Sequence, residues 1–405
     1  MRHFYLVLLV GFVSWNSWAT HGTNLIGISP ASQALGGTGV ANETNPTDSI
    51  SKNPAFLVDP KATEGKIEAQ ATFAVFNQVA SSENTGLGAK DSSEKSVYAP
   101  SLSALYQVGD SLAFGLGVHS IGGALANYSS EASLVKLQTS KKLLRILPTV
   151  AYQAGDGISI GISPIVLMSS FQLNANGSTT PSQTRTGYGV LVGAKAQVSD
   201  NLIFGATYTS KQKVLYRGLI DVDSFGPAGV TKPDRDDVTL EQPQEIALGA
   251  TYLVSPEFLV TFDYRNLNWS SADGYSQLGW ASQNVFALGV QYRLDKLTFR
   301  GGYNYAKSPF SDVSGENGLE QVDFQGHPIF KKSVSVLNMI AFPALVESHF
   351  TAGLGYEVTS DLGLDVGLVY APKVTRSRSG TAGAAYQLTS SVSQWALSVG
   401  GTFQF

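Results

Sequence analysis

The chain has 405 residues, 43 % hydrophobic and 14 % charged, with a net charge of −4, 42 glycines, 17 tyrosines and no cysteine. This balance excludes a bundle of membrane helices, because no stretch after residue 20 stays apolar for the roughly 18 residues a helical span needs. It gives no electrostatic reason to expect a nucleic acid, and the lack of cysteine rules out a disulfide scaffold, a thiolate metal site and a lipidated N-terminal cysteine.

Residues 1–19 read as a secretory signal peptide. Arg2 and His3 form a basic start, Phe4 to Val13 is an apolar run too short to cross a bilayer, and Ser17-Trp18-Ala19 offers small residues where a signal peptidase cuts. The mature protein is expected to begin near Thr20. Residues 20–60 are rich in Gly, Ser, Ala and Asn and do not read as strands, whereas residues 61–405 read as one barrel domain.

From about residue 66 onward the pattern alternates with period two. In the last segment Trp395, Leu397, Val399, Phe403 and Phe405 fall on one face, and Gln394, Ser398, Thr402 and Gln404 on the other. Phe258, Val260, Phe262 and Tyr264 alternate with Thr261, Asp263 and Arg265 in the same way. Small residues share one face with Lys195, Asp263, Arg265, Arg293, Arg300, Glu357 and Asp365, as in a wet lumen, while large aliphatic residues carry the other. The pattern therefore predicts an all-β, transmembrane antiparallel barrel with its greasy face on lipid.

A recurring tyrosine supports this. Tyr106, Tyr152, Tyr252, Tyr292 and Tyr356 each stand a fixed distance before a tight turn, and a sixth turn at Ser199-Asp200-Asn201 lacks one. Six short turns alternate with seven longer polar connections at roughly 81–95, 121–142, 176–184, 215–238, 270–281, 306–346 and 376–391. Tyrosines at one level form an interfacial belt. The count gives 14 strands, at 66–80, 95–108, 111–121, 142–154, 157–174, 185–198, 201–215, 238–254, 258–269, 282–294, 296–306, 347–359, 361–375 and 392–405. A barrel of that size encloses more room than its own side chains fill, so residues 20–60 are expected to fold back as a plug.

The segment Asn24-Leu-Ile-Gly27-Ile-Ser-Pro30-Ala-Ser-Gln-Ala-Leu-Gly36-Gly37-Thr-Gly39-Val-Ala, followed by Asp48-Ser-Ile-Ser-Lys-Asn53-Pro54-Ala55, resembles the N-terminal hatch of the long-chain fatty acid outer-membrane transporter family (FadL-type), which also includes channels for aromatic hydrocarbons. Asn53 suits a helix cap, and Pro54 takes the first turn, where no donor is missed. The motif match covers about residues 24–57. The resemblance implies uptake of hydrophobic molecules such as long-chain fatty acids: capture on apolar outer loops, passage to an inner pocket, release by hatch movement, and a side exit at a kink in the third strand. Gly115 and Gly117 are the kink candidates, with Gly122 and Gly123 beyond them; the alternative is that these glycines only make room for the plug.

Candidate ligand contacts fall in three groups. Leu134, Leu137, Lys141 and Arg145 lie in a stretch readable in part as an amphipathic helix over the mouth, its cations meeting either a carboxylate or lipopolysaccharide phosphates. Leu337, Ile340 and Phe342 belong to a run from Val334 to Val346 too apolar for an ordinary exposed loop, so it forms either a capture groove or an inward-packed loop. Arg265 and Arg293 face the lumen and meet either a carboxylate or neighbouring acids and the plug.

Enzyme chemistry finds little support: His21, His119, His327 and His349 show no metal spacing, and His119, expected near Ser103 or Ser120, has no nucleophile motif beside it. No cofactor or metal is expected. The expected partners are a hydrophobic substrate, outer-membrane lipid and lipopolysaccharide, with the chain a monomer in the bacterial outer membrane. The rival readings are uptake of aromatic or aliphatic hydrocarbons by the same route, a general porin, and a surface adhesin.

Overall fold

The computed structural model describes residues 21–42, 45–59, 65–175, 179–227 and 235–405. The expected signal peptide lies outside the described residues.

Fourteen strands close into a barrel: β1 (Ile67–Asn84), β2 (Ser96–Val108), β3 (Leu112–Asn127), β4 (Gln138–Gly155), β5 (Ile158–Asn174), β6 (Gln183–Ser199), β7 (Leu202–Thr209), β8 (Glu245–Leu253), β9 (Phe258–Leu267), β10 (Gln283–Leu294), β11 (Leu297–Tyr305), β12 (Ser348–Thr359), β13 (Leu362–Ala382) and β14 (Ala384–Gln404). Each is antiparallel to its neighbours, and β14 returns to pair with β1 from Glu68↔Gln404 to Asn84↔Leu388. Closure leaves the sheet no free edge strand toward acyl chains, the condition for crossing a bilayer with strands.

The alternation read from the sequence is the inside-out pattern. Phe262 on β9 is 43 % exposed whereas its neighbour Asp263 is fully buried. Gln70, Thr149 and Ser398 are buried, while Leu288, Val366 and Leu397 stand outside. The five tyrosines beside the short turns are all half-exposed on the outer face, at one end of the barrel.

Strand lengths depart from the sequence expectation where a strand leaves the hydrocarbon. Strands β13 and β14 pair as far as Ala382↔Ala384, so the polar stretch expected as a loop at 376–391 is strand. Beyond the membrane neither face must be apolar, and the pattern that marks a span fades. The expected strand 201–215 ends early, at Thr209, and Gln212–Ile220 pairs instead with Asp236–Gln242 in a separate hairpin. Pro243, which has no N–H for a ladder, stands between that hairpin and β8. No amphipathic helix forms over 121–147: apart from the single 3-10 turn Ala132–Leu134 and the short connections around it, that stretch extends β3, which pairs there with β4, and begins β4, which pairs with β3 and β5.

The N-terminal segment packs against the inward face of this cylinder. It contains α1 (Pro30–Ala34), α2 (Pro46–Ser51) and a 3-10 turn (Pro54–Phe56). Each begins with a polar cap ahead of a proline: Ser29, Asn45 and Asn53 accept from the backbone amides of Ser32, Asp48 and Ala55, each at 3.0 Å. Glycines on the wall make the approach possible. A Cβ on Gly205 would lie 1.8 Å from the Val40 carbonyl oxygen, one on Gly193 2.0 Å from Asn53 Oδ1, and one on Gly302 2.3 Å from the Gly36 amide. These seats come in cross-strand pairs, Gly161↔Gly193, Gly205↔Gly249, Gly289↔Gly302 and Gly353↔Gly367.

Candidate functional site: an apolar cavity and a window in the wall

At the end of the barrel opposite the tyrosines, the long connections fold inward over the mouth. The helix α3 (Lys331–Val336) runs into a π-helical turn, Leu337–Ala341, and buries Leu337, Met339, Ile340 and Phe342. Leu337 and Phe342 line a cavity of about 40 Å³ together with Phe171, Leu173, Ile220 and Leu240, and every lining residue is apolar. An apolar cavity of about 150 Å³ accepts benzene, so a guest here requires the loops to give way. Ile340, Leu134 and Leu137 are buried in the surrounding core and do not line the cavity.

Beside the cavity stands an aromatic cluster that sequence reading missed. Trp269, Tyr275 and Trp280 pack with ring centroids 4.6–5.1 Å apart, and Phe171 stacks on Phe342 at 6.0 Å. Three large aromatics within twelve positions of an otherwise polar connection were the available signal. Trp280 donates its indole N–H to Asn338 and Trp269 to Gln283, so both polar edges are satisfied in a dry setting. Lys141 reaches the Tyr275 hydroxyl and lies 4.8 Å from that ring centre. Burial pushes the Tyr275 hydroxyl pKa upward, so the tyrosine stays neutral.

Below the mouth, the wall contains a window. Strands β2 and β3 pair only from Val108↔Leu112 to Ser101↔His119; above that rung β2 from Ser96 to Pro100 pairs with β1 alone. The gap closes again higher up, where Ser93 donates to the Asn127 carbonyl at 3.0 Å. Within it, the ladder from β3 to β4 breaks register between Ser120 and Gly122, and Gly122 adopts φ +150°, a conformation that favours glycine. The break falls at Gly122, beyond Gly115 and Gly117. Gly115 and Gly117 sit in regular ladder opposite Leu105 and Ser103, and a Cβ on either would crowd Ile50 of α2.

The N-terminal segment supplies what β2 does not. Leu25 donates its amide to the Ile121 carbonyl and Gly123 donates to the Thr23 carbonyl, both at 2.9 Å. Leu25 and Leu125 fill the inner side of the window with Val97 and Ala99. A second, smaller gap is bordered by Phe342, Trp280, Thr23 and Gly123, and Phe342 stands between it and the apolar cavity, lining both.

Deeper in the lumen the side chains turn polar. Arg265 pairs with a neighbouring acid, Glu245, at 2.8 Å. Asp263 instead accepts from the Gly39 and Val40 amides at 2.8 and 3.0 Å. Arg145 donates to Gln212 Oε1 at 2.6 Å. Lys52 donates to the carbonyls of Ile26 and Gly37, and burial together with nearby Arg265 lowers its pKa to about 8. Asn304 donates to the Gly36 carbonyl at 2.6 Å, so Gly36, Gly37, Gly39 and the Asn53-Pro54-Ala55 turn are all held by the wall or by neighbouring segment residues. Lys195 lies over the Phe56 ring. Arg293 lies apart, at the tyrosine end of the lumen, in a polar cavity of about 350 Å³ shared with the Arg300–Asp365 ion pair. His119 does meet Ser103, at 2.8 Å, but its Nδ1 has no hydrogen-bond partner, so no acid orients the imidazole as a triad requires.

A protein-family model described as "Outer membrane protein transport protein (OMPP1/FadL/TodX)" matches residues 12–316. No curated protein sequence matches the chain. Among solved structures, the Pseudomonas putida toluene transporter TodX is 18 % identical with a TM-score of 0.68, over 94 % of this chain and 99 % of that one. A Pseudomonas aeruginosa FadL homologue is 14 % identical with a TM-score of 0.68 over the same shares, 94 % and 99 %. The Ralstonia pickettii toluene transporter TbuX is 18 % identical with a TM-score of 0.62, again over 94 % and 99 %. At such identities the likeness is one of fold.

Proposed function

This chain belongs to the outer membrane protein transport protein family (OMPP1/FadL/TodX), and from that membership we propose that it takes up hydrophobic small molecules through the cavity at its mouth and releases them sideways through the β2–β3 window. It is an outer-membrane β-barrel transport protein. Residues 21–59 serve as the hatch. The observation that carries this reading is the backbone pairing of Thr23 and Leu25 with the broken rung of β3: withdrawing the segment uncovers the window in the same movement. Such a route suits molecules that partition into lipid, because they pass from apolar cavity to acyl chains without crossing water.

The finer reading is that the cargo is a neutral, compact hydrocarbon, in keeping with the toluene transporters among the structural neighbours. The cavity lining offers no polar atom to a headgroup, and a buried carboxylate without a partner is costly. A long-chain fatty acid is the second reading, favoured by Lys141 and Arg145, whose hydrogen-bond partners Tyr275 and Gln212 are neutral. A general porin fits less well, since the described N-terminal residues are nearly all buried against the inward face of the barrel.

Uptake of labelled toluene and labelled oleate by a deletion strain, with and without the gene restored, tests the proposal. Restored toluene entry supports the neutral-hydrocarbon reading, and restored oleate entry alone supports the second. If neither responds, both cargo readings are wrong and the proposed route from cavity to window loses its support. Removing residues 20–55 should also raise ion conductance across a planar bilayer sharply; unchanged conductance would count against the hatch.

A further inference from the structure

Immediately below the window, three buried polar side chains from three elements form one chain. Thr47 Oγ1 of α2 lies 2.8 Å from Ser103 Oγ of β2, and Ser103 Oγ lies 2.8 Å from His119 Nε2 of β3. All three are buried. The chain spans the three outermost residue pairs that β2 and β3 share, from Ser101↔His119 to Ser103↔Gly117. Gly117 makes it possible, because a Cβ there would lie 2.5 Å from the His119 ring.

Two hydroxyls and an imidazole stand in one hydrogen-bonded row, and in a dry setting a broken link leaves a polar group unsatisfied. Thr47 leaves its seat only by giving up Ser103. Strands β2 and β3 part at the sill of the window only by separating Ser103 from His119. We propose that Thr47, Ser103 and His119 are positioning residues that latch the hatch to the lower edge of the window, so that departure of α2 and parting of the strands become one event. This rests on the sideways-exit reading above and adds to it the side chains that hold the exit shut.

The test uses the full chain in liposomes, and the absence of native cysteine makes labelling specific. Spin labels at Tyr98→Cys on β2 and Leu116→Cys on β3, both outward and half-exposed, report the width of the seam. Thr47→Val and Ser103→Ala are each expected to raise the widened population about fivefold, the change for one lost hydrogen bond, and Thr47→Ser to restore the closed distribution. Thr47→Val lies outside the wall, so the test survives if Ser103→Ala fails to insert. In parallel, Pro100→Cys with Ser120→Cys ties the first unpaired rung, where Ser120 Oγ already donates to the Pro100 carbonyl at 2.9 Å. If that crosslink stops toluene uptake while Thr47→Val and Ser103→Ala leave the distances unchanged, the exit stands and the latch is overturned. If the crosslinked protein still transports, the exit itself is wrong and the latch falls with it.

Discussion

Leu25 donates its backbone amide to the carbonyl of Ile121 at 2.9 Å, across 96 positions of sequence, at the one rung of β3 where the ladder to β4 slips. A residue of the N-terminal segment thus completes the hydrogen bonding of a wall strand. A buried carbonyl without a donor costs about 1–3 kcal/mol, so the segment and the bulge stabilise each other.

Leu25→Pro removes that donor and leaves the residue's place in the apolar cluster largely filled. Ion conductance through single barrels in planar bilayers is expected to rise, with flickering in place of a steady closed level. Leu25→Ala keeps the amide and should leak less. Equal leakage from both variants would move the cause from the hydrogen bond to the side chain.

Gly205→Ala puts a methyl group 1.8 Å from the Val40 carbonyl oxygen, closer than atoms approach, so the segment or the strand must shift. Overpacking of this kind costs about 1–3 kcal/mol. The expected result is faster tryptic cleavage within the N-terminal segment of a barrel that still resists heat and detergent. Gly363→Ala, where a Cβ meets nothing within 4 Å, serves as the neutral control.

Phe342→Ala enlarges the cavity and removes its stacking with Phe171. Uptake of bulkier hydrocarbons should improve relative to toluene, by a few-fold, since each methylene accommodated contributes about 0.8 kcal/mol. Phe342→Asp places a charge on the lining of an otherwise wholly apolar cavity, and toluene uptake should fall at least tenfold. Competition assays with substrates of graded size measure both.

Breaking the Arg265–Glu245 pair from one side should be worse than replacing both partners. Arg265 is buried within the lumen, and losing its counterion costs about 3–5 kcal/mol in comparable pairs. Glu245→Gln alone and Arg265→Met alone are expected to lower thermal stability more than the double substitution. A double-mutant cycle on heat-induced unfolding in detergent checks this, and additivity would refute it.

The barrel was legible because its rule is local. Residues such as Leu397 and Ser398 alternate one by one, and a lipid face must be apolar wherever it meets acyl chains, so each strand carries its own signature. The caps at Asn53 and Pro54 were legible for the same reason. Equivalent pairs at Ser29-Pro30 and Asn45-Pro46 were in plain view and passed unread. The window was not legible: it is a failure of pairing between β2 and β3, and pairing depends on two strands at once. Gly115 and Gly117 allow two readings in the sequence, a kink or room for the plug, and their closeness to Ile50 and His119 answers the second. The cross-strand glycine pairs show the same limit, since Gly205 and Gly249 are far apart in sequence and share a seat only after the cylinder closes.

The unequal strand lengths give the mouth a slanted rim. Strands β13 and β14 run 21 residues each, whereas β7 and β8 run 8 and 9. A tilted span of the hydrocarbon takes about 9–11 residues, so the short pair stops near the membrane surface while the long pair stands well above it as a screen. The hairpin rising from the short side leans over the opening and contributes Ile220 and Leu240 to the cavity. The protein thus has a threshold and a backboard, and molecules drifting along the membrane surface meet the threshold first.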